Sequence, residues 1–167
     1  GSKRKNRVMA ETAIEQAVAA YAQSIGSAKT AADAWRALHT LFDTAVGAKL
    51  FTVTTVDLGR AEARRLYTSD PASYPVSGAK PIIVDPWYQL VIVGHQSFVA
   101  NTLDEISGHF PDYALIGRLG CGSVINLPVL LAGSVVATVN GLDVEHHYTP
   151  QRVATAQSLT VHALAAY

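Results

Sequence analysis

The chain contains a single cysteine, Cys121, in a short Gly-Cys-Gly segment that leaves room for a reactive thiol. A thiolate nucleophile needs a nearby base or cation that lowers the pKa of the thiol. His109 is a candidate base, and Asp112 is a candidate proton carrier close to it in the sequence. These three residues could support covalent catalysis on a small metabolite. The alternatives are that Cys121 lines a pocket, or that it is a small side chain in a turn.

Two features of the sequence argue against a thiol-based reaction. Cys121 follows a predicted helix that ends at Gly120, and the negative C-terminal end of a helix dipole disfavours a thiolate. The chain also has no second cysteine that could resolve an oxidised thiol, so redox catalysis would need an external reductant. The sequence therefore leaves open whether the protein is an enzyme.

The histidines near the C-terminus do not form a metal-binding pattern. His146 and His147 are adjacent, with Asp143 and Glu145 close by. Neighbouring residues of an extended chain point in opposite directions, and no further Cys or His lies at a spacing typical of zinc sites. We therefore expect a solvated turn here, and we expect neither a metal nor a cofactor.

The composition predicts a soluble globular domain with a substantial core, since 49% of the 167 residues are hydrophobic and 16% are charged. The formal net charge is zero, so we expect no binding to nucleic acid or to an anionic membrane. No apolar run approaches the roughly 20 residues that span a bilayer, and no secretory signal is visible. One cysteine forms no internal disulfide, which favours a cytoplasmic protein.

The first residues are expected to lie outside the folded domain. Gly1-Ser2 is typical of the remnant of a cleaved expression tag, and a basic cluster over residues 3–7 is interpreted as a solvated lead-in to a helix. The predicted division is therefore a remnant and basic lead-in at residues 1–10 and a single domain at residues 11–167.

Apolar periodicity predicts an order of elements typical of an α+β fold. Helices are predicted over residues 8–25, 30–46, 87–93, 110–120 and from Pro150 onward. Strands are predicted over residues 49–56, 62–68, 96–101 and 123–142, the last forming two strands joined by a turn at Ala132-Gly133. The long loop at residues 69–82 is a candidate lid. We expect a mainly antiparallel sheet of five to six strands, with the terminal helices on one face and loops and short helices on the other.

Alternation along the predicted strands separates a polar face from an apolar face. The polar face collects side chains that could meet a polar ligand or hydrogen-bond the covering loops. Its members are Thr52, Thr54, Asn126, Thr138 and Asn140. The opposite face, with Val135, Ala137 and Val139, is expected to pack against the terminal helices.

The segments that cover the polar face supply aromatic side chains for a pocket. Tyr74 and Trp87 flank the long loop, and Tyr113 lies further along, although such residues can also be ordinary core residues. Arg64 and Arg65 must point to opposite sides of their strand. One of them could bind a carboxylate or phosphate, or both could be solvated at a sheet edge.

The segment "LGCGSVINLPVLLAGSVVATVNGL" (residues 119–142), followed by "HHYTPQRV" (residues 146–153), resembles the corresponding part of GAF domains. The resemblance implies a six-stranded sheet with a ligand pocket on one side, and terminal helices that pair between subunits. GAF domains bind cyclic nucleotides, tetrapyrroles, haem, nitrate, amino acids and other metabolites, so the resemblance leaves the ligand open. One group, the free-methionine-(R)-sulfoxide reductases, uses a catalytic cysteine in this region together with further cysteines that this chain lacks.

The sequence thus supports three hypotheses. The first is a cytoplasmic GAF domain with a sensory or regulatory role that binds a small organic metabolite and forms a homodimer through its terminal helices. Its ligand would contact the polar-face residues together with Tyr74, Trp87, Tyr113 and Cys121. The second is an enzyme that uses Cys121, His109 and Asp112 in the same pocket. The third is a dimerisation module that has no pocket.

Overall fold

A six-stranded antiparallel sheet forms the centre of the computed structural model, which describes all 167 residues. The strands lie side by side in the order β3-β2-β1-β6-β5-β4. They are β1 (Leu50–Asp57), β2 (Glu62–Thr68), β3 (Lys80–Pro81), β4 (Phe98–Ala100), β5 (Ser123–Leu131) and β6 (Ser134–Asp143). The two longest strands, β5 and β6, are joined by a turn in which Ala132 and Gly133 both have positive φ, the backbone that a tight hairpin requires.

Helices cover both faces of the sheet. One face carries the three long helices α1 (Ser2–Ser27), α2 (Ala31–Ala45) and α6 (Pro150–Ala166). The other face carries α3 (Pro86–Tyr88), a π-helical turn (Gln89–Val93), α4 (Leu103–Ser107) and α5 (Tyr113–Arg118). None of these helices is both long enough and apolar enough to cross a bilayer. The predicted α+β fold, with terminal helices on one face and loops and short helices on the other, is confirmed.

The core on the helix side is apolar and includes several aromatic residues. Thr30 caps α2 by accepting a hydrogen bond from the backbone N–H of Asp33 at 3.1 Å. The buried residues of α2 recur at helical spacing and face the sheet: Trp35, Leu38, Leu41 and Phe42. From β1, Phe51 is fully buried, and its ring centroid lies 5.0 Å from that of His39 and 5.4 Å from that of Phe42.

Several boundaries differ from the prediction. Helix α1 begins at Ser2 rather than near residue 8, because lysine and arginine are good helix formers and extend it. The end of the predicted loop forms β3, where Lys80 pairs with Ala63 and Pro81 with Glu62. Helix α4 was not predicted, and the helix predicted over residues 110–120 is confined to α5.

One residue was assigned to the wrong face of the sheet. The pairing of β5 with β6 shifts register, so that Val129 lies opposite Ala137 while Leu130 lies opposite Val135. Val136 is left between these pairs as an extra residue, which reverses the alternation at that point. As a result Val135 is buried on the side of the short helices, whereas Ala137 and Val139 are buried on the helix side as predicted.

Candidate functional site

A cavity of about 430 Å³ lies between the sheet and its cover of loops and short helices. The volume falls within the range of about 300–1,000 Å³ that is usual for small-molecule sites. We refer to it as the polar cavity. Its lining residues are Thr52, Thr54, Arg65, Tyr74, Lys80, Trp87, Phe110, Pro111, Asp112, Ile116, Val124, Asn126, Thr138, Asn140 and Leu142.

The floor of the polar cavity consists of two rows of residues that run across the strands. In the first row, Asn140 of β6 lies between Thr52 of β1 and Asn126 of β5. In the second row, Thr54 of β1 lies between Arg65 of β2 and Thr138 of β6. Directly opposite residues of antiparallel strands project from the same face, so the sheet register itself brings these side chains together.

The first row is tied together by amide hydrogen bonds. Asn126 donates through Nδ2 to Oδ1 of Asn140 at 2.8 Å, and Asn140 donates through Nδ2 to Oγ1 of Thr52 at 3.2 Å. The network continues into the cover, where the indole Nε1 of Trp87 donates to Oδ1 of Asn126 at 2.9 Å. These bonds satisfy buried polar groups and hold the Trp87 ring at the edge of the floor.

One wall of the polar cavity combines a cation, a phenol and a carboxylate. The guanidinium carbon of Arg65 lies 3.8 Å from the centroid of the Tyr74 ring, and Nη1 of Arg65 donates to the carbonyl of Pro75 at 3.0 Å. The hydroxyl of Tyr74 donates to Oδ2 of Asp112 at 2.7 Å. Burial raises the pKa of the Tyr74 phenol well above its ordinary value, so the phenol remains a hydrogen-bond donor at neutral pH.

The structure brings together most of the residues that were predicted to bind a ligand. Seven of them line the polar cavity: Thr52, Thr54, Tyr74, Trp87, Asn126, Thr138 and Asn140. Tyr113 and Cys121 are not among its lining residues. Tyr113 lies on α5 with 42% of its surface exposed, and Cys121 is buried after the end of that helix.

The surroundings of Cys121 do not favour a thiolate. The side chain is buried, and its backbone N–H donates to the carbonyl of Ile116 at 3.1 Å. Burial raises the pKa of the thiol, and the nearby charge of Asp143 raises it further, while Lys49 acts in the opposite direction. The net direction is opposite to the one that activates a cysteine.

The three residues of the enzyme hypothesis do not share one cavity. Asp112 lines the polar cavity. The ring of His109 packs edge-to-face against Phe98 at a centroid distance of 4.8 Å and lines a neighbouring cavity of about 240 Å³. Cys121 lines neither cavity.

The acidic and histidine residues near the C-terminus of β6 make hydrogen bonds within the protein. His147 donates through Nε2 to the carbonyl of Val46 at 2.9 Å, and the same nitrogen lies 3.7 Å from Oδ2 of Asp143. His146 has a positive φ of 63°, as in a turn. No group of three or more His, Cys, Asp or Glu residues is placed to hold a metal ion.

Sequence reasoning did not decide between Arg64 and Arg65 and did not name Lys80, although Arg65 and Lys80 both line the polar cavity. The pairing of β1 with β2 shifts register so that Val53 lies opposite Tyr67 and Thr54 opposite Arg65. The extra residue, Leu66, turns Arg65 to the cavity side while Tyr67 packs on the helix side. Such a bulge leaves no clear signal in a single sequence.

Comparison with solved structures identifies the fold. The GAF domain of a phosphoenolpyruvate-protein phosphotransferase from Coxiella burnetii aligns with a TM-score of 0.69 over 93% of this chain and 92% of that domain, at 17% identity. The GAF domain of a two-component sensor histidine kinase from Bacillus halodurans aligns with a TM-score of 0.65 over 83% of this chain and 94% of that one, at 13% identity.

A fragment of a methyl-accepting chemotaxis protein, its residues 122 to 287, aligns with a TM-score of 0.62 over 90% of this chain and 95% of that fragment, at 16% identity. No family model matches the sequence, and no curated protein matches it. The chain therefore has the fold of GAF domains, as the sequence resemblance implied, and this is shown by structure alone.

Proposed function

We propose that this chain is a sensory or regulatory GAF domain that binds a small organic molecule in the polar cavity. The observation that carries the proposal is the cavity itself, about 430 Å³ in volume, with buried amides on its floor and a cation on its wall. A pure dimerisation module has no need for such a volume, because protein interiors are otherwise close-packed. The occurrence of this fold in a sensor kinase and a chemotaxis protein supports a sensory role.

The geometry favours binding over catalysis. A cysteine enzyme needs its thiol, base and acid around one substrate. Here Cys121 is buried and lines neither cavity, and the ring of His109 packs against Phe98. The single cysteine is also consistent with work in a reducing compartment such as the cytoplasm.

The proposal includes a homodimer formed through the terminal helices. Tyr21 is the one buried residue of the 26-residue helix α1. Val8 and Met9 on this helix are 54% and 62% exposed. A second copy of α1 would cover such side chains. Sedimentation equilibrium should therefore give twice the mass of one 17.7 kDa chain, and the mass of a single chain would contradict the dimer.

Thermal unfolding in the presence of a broad metabolite panel tests the binding function. A compound at about a hundred times its dissociation constant stabilises the folded state by about 2.7 kcal/mol, which is easily detected. We expect at least one compound to stabilise the wild type and the Cys121→Ala variant equally and to be recovered unchanged. If a compound is consumed by the wild type but not by the variant, the protein is a cysteine-dependent enzyme. If no compound stabilises either protein, the binding function is wrong.

A further inference from the structure

We infer that the ligand of the polar cavity is an organic anion with an apolar body, whose charged group is held at Arg65 and whose body extends past Trp87 and Phe110. This inference rests on the proposed function, because it names the chemical class of ligand for that cavity. The distribution of charge, the fixed position of Arg65 and an adjoining, more apolar cavity support it.

The charged residues that line the polar cavity leave a cation without a counterion. Arg65 and Lys80 provide two positive charges, and Asp112 provides one negative charge. Neither cation makes an ion pair within the protein, since the ion pairs of the structure lie elsewhere. The carboxylate of Asp112 is engaged by the hydroxyl of Tyr74. A ligand anion would supply the missing partner.

Arg65 is held in place instead of moving freely at the surface. Its guanidinium lies on the Tyr74 ring, and Nη1 is fixed by the carbonyl of Pro75. The backbone N–H of Arg65 donates to Oγ of Ser77 at 3.2 Å, and the backbone carbonyl of Arg65 accepts from the N–H of Ser77 at 3.1 Å. A positioned guanidinium loses little freedom when it binds an anion.

The guanidinium of Arg65 also has an unpaired hydrogen-bond donor. Its Nε is buried and has no hydrogen-bond partner, the one such side-chain nitrogen or oxygen in the structure. An unpaired buried donor is costly, so a ligand acceptor that reaches this nitrogen would stabilise the complex. A carboxylate or a phosphate has the oxygen pair that a guanidinium edge recognises.

A second, more apolar cavity of about 240 Å³ adjoins the polar cavity. The two cavities share Thr54, Trp87, Phe110 and Thr138 as lining residues, so they lie side by side on the same face of the sheet. Further walls of the second cavity come from aliphatic side chains such as Ile82 and Ile92. Asp85, whose Oδ1 accepts from the backbone N–H of Tyr88 at 2.8 Å, and His109 also line it. A ligand that fills both volumes is polar at the Arg65 end and apolar at the other.

The amides of the floor contribute less to ligand recognition than their position suggests. Nδ2 of Asn140 already donates to Oγ1 of Thr52, and Oδ1 of Asn140 already accepts from Asn126. Oδ1 of Asn126 accepts from Trp87. These groups brace the floor, which leaves the charge on Arg65 as the strongest recognition element in the cavity.

Calorimetric titration with matched probes tests the inference. The probes share a phenylbutyl body and differ in the end group: phenylbutyrate, phenylbutyl phosphate, neutral phenylbutyramide and phenylbutylammonium. Acetate and inorganic phosphate provide the anion without the body. We expect one or both phenylbutyl anions to bind at least about tenfold more tightly than the amide, and the small anions to bind more weakly than the corresponding phenylbutyl anion. The preferred anion distinguishes a carboxylate ligand from a phosphate ligand.

Two arginine variants locate the charge. Arg65→Gln is expected to weaken anion binding by about ten- to a hundredfold and to weaken amide binding by a clearly smaller factor. Arg64→Gln is the matched control, because Arg64 is the adjacent residue of β2, is exposed and does not line the polar cavity. Urea unfolding of both variants verifies that each remains folded.

The outcomes separate this inference from the proposed function. Equal or tighter binding of the amide or the ammonium probe overturns the inference, and so does an equal loss of anion binding in Arg64→Gln and Arg65→Gln. The inference is also overturned if the wild type binds none of the four anionic probes, which are phenylbutyrate, phenylbutyl phosphate, acetate and inorganic phosphate. The binding function survives each of these results if any compound of the metabolite panel stabilises the protein, and fails only if none does.

Discussion

The two faces of the sheet are built from alternate residues of the same strands, yet they are stabilised in different ways. On the helix side, Phe51 and Ile125 are fully buried among apolar neighbours. On the other side, the adjacent residues Thr52 and Asn126 are also buried, but they border a cavity and are hydrogen-bonded. The helix side is packed throughout, whereas the other side combines an apolar cluster with an open volume.

The difference has a physical consequence for how each face responds to substitution. Apolar packing is spread over many contacts and depends on volume. A polar network depends on direction, and removal of one partner leaves the remaining group unpaired in a buried position. Substitutions on the helix side should therefore act mainly on stability, and substitutions at the cavity should act on stability and on ligand binding together.

The largest effect is expected for Phe51→Ala, at the centre of the helix side. Truncation of this fully buried ring should lower the free energy of unfolding by about 3–5 kcal/mol, because it removes apolar contacts and leaves a void. Urea unfolding measures the change. Ile83→Ala, at a side chain that is 75% exposed, is the control and should stay within about 0.5 kcal/mol. Equal losses in both variants would contradict the contrast between core and surface.

A smaller loss is expected when the floor network is broken. Asn140→Ala should cost about 1–3 kcal/mol, because the Nδ2 of Asn126 loses its acceptor in a buried position. The same change should alter the fluorescence of Trp87, which is bonded to Asn126.

Thr138→Val is the matched control for Asn140→Ala. Thr138 is buried in the neighbouring row, but its hydroxyl makes no hydrogen bond within the protein, so the loss should be below about 1 kcal/mol. If both variants lose the same stability, the amide network is not what distinguishes this face.

On the wall of the polar cavity, Tyr74→Phe should cost about 1–2 kcal/mol, because the carboxylate of Asp112 loses a hydroxyl donor at 2.7 Å. The ring that supports Arg65 is retained, so anion binding should weaken less than in Arg65→Gln. Tyr113→Phe is the control, since Tyr113 is 42% exposed and its hydroxyl has no partner. Chemical unfolding distinguishes the two variants, and a loss in Tyr113→Phe as large as in Tyr74→Phe would refute the assigned bond.

The smallest effect concerns pH and lies on the helix side. Burial lowers the pKa of His39 below its ordinary value of 6.5, and Nδ1 of its ring lies 3.3 Å from the hydroxyl of Tyr67. A neutral imidazole can accept from that hydroxyl, whereas the protonated ring cannot. Below about pH 6.5 the unfolded chain binds a proton that the native ring does not, so stability falls as the pH decreases.

Because His39 is half-buried, solvent screens part of this effect, and we expect a loss of at most about 1 kcal/mol between about pH 7.5 and about pH 5.5. Urea unfolding at both pH values measures it. His39→Gln should remove that part of the pH dependence, while His95→Gln, at an exposed position, should leave it intact. A pH dependence that is unchanged in His39→Gln would assign the effect to another group.

Sequence reasoning was most successful where a local pattern determines the outcome. The α+β fold and the shared face of Thr52, Asn126 and Asn140 follow from helical periodicity and strand alternation, which need no knowledge of distant contacts. The face of Val135 and the inward direction of Arg65 depend on register shifts within strand pairs. Such shifts depend on how two separate segments pack, so they were not predictable from one sequence.

The candidate site shows the same division. Residues on regular strands were placed at the cavity by alternation alone, whereas Lys80 reaches it from β3, a strand of two residues inside a segment predicted to be a loop. The thiol of Cys121 made it a candidate site residue, but the burial of this side chain after α5 depends on tertiary packing. Chemical type thus proved a weaker guide to location than position within a strand.

The pairing of Asn126 with Asn140 also favours the observed alignment of β5 with β6 over other alignments. Both strands are rich in apolar residues that could match one another at several offsets. A slip by one residue would turn Asn126 toward the apolar helices, where its amide would have no partner. The two asparagines therefore penalise misaligned pairings of the longest hairpin in the molecule.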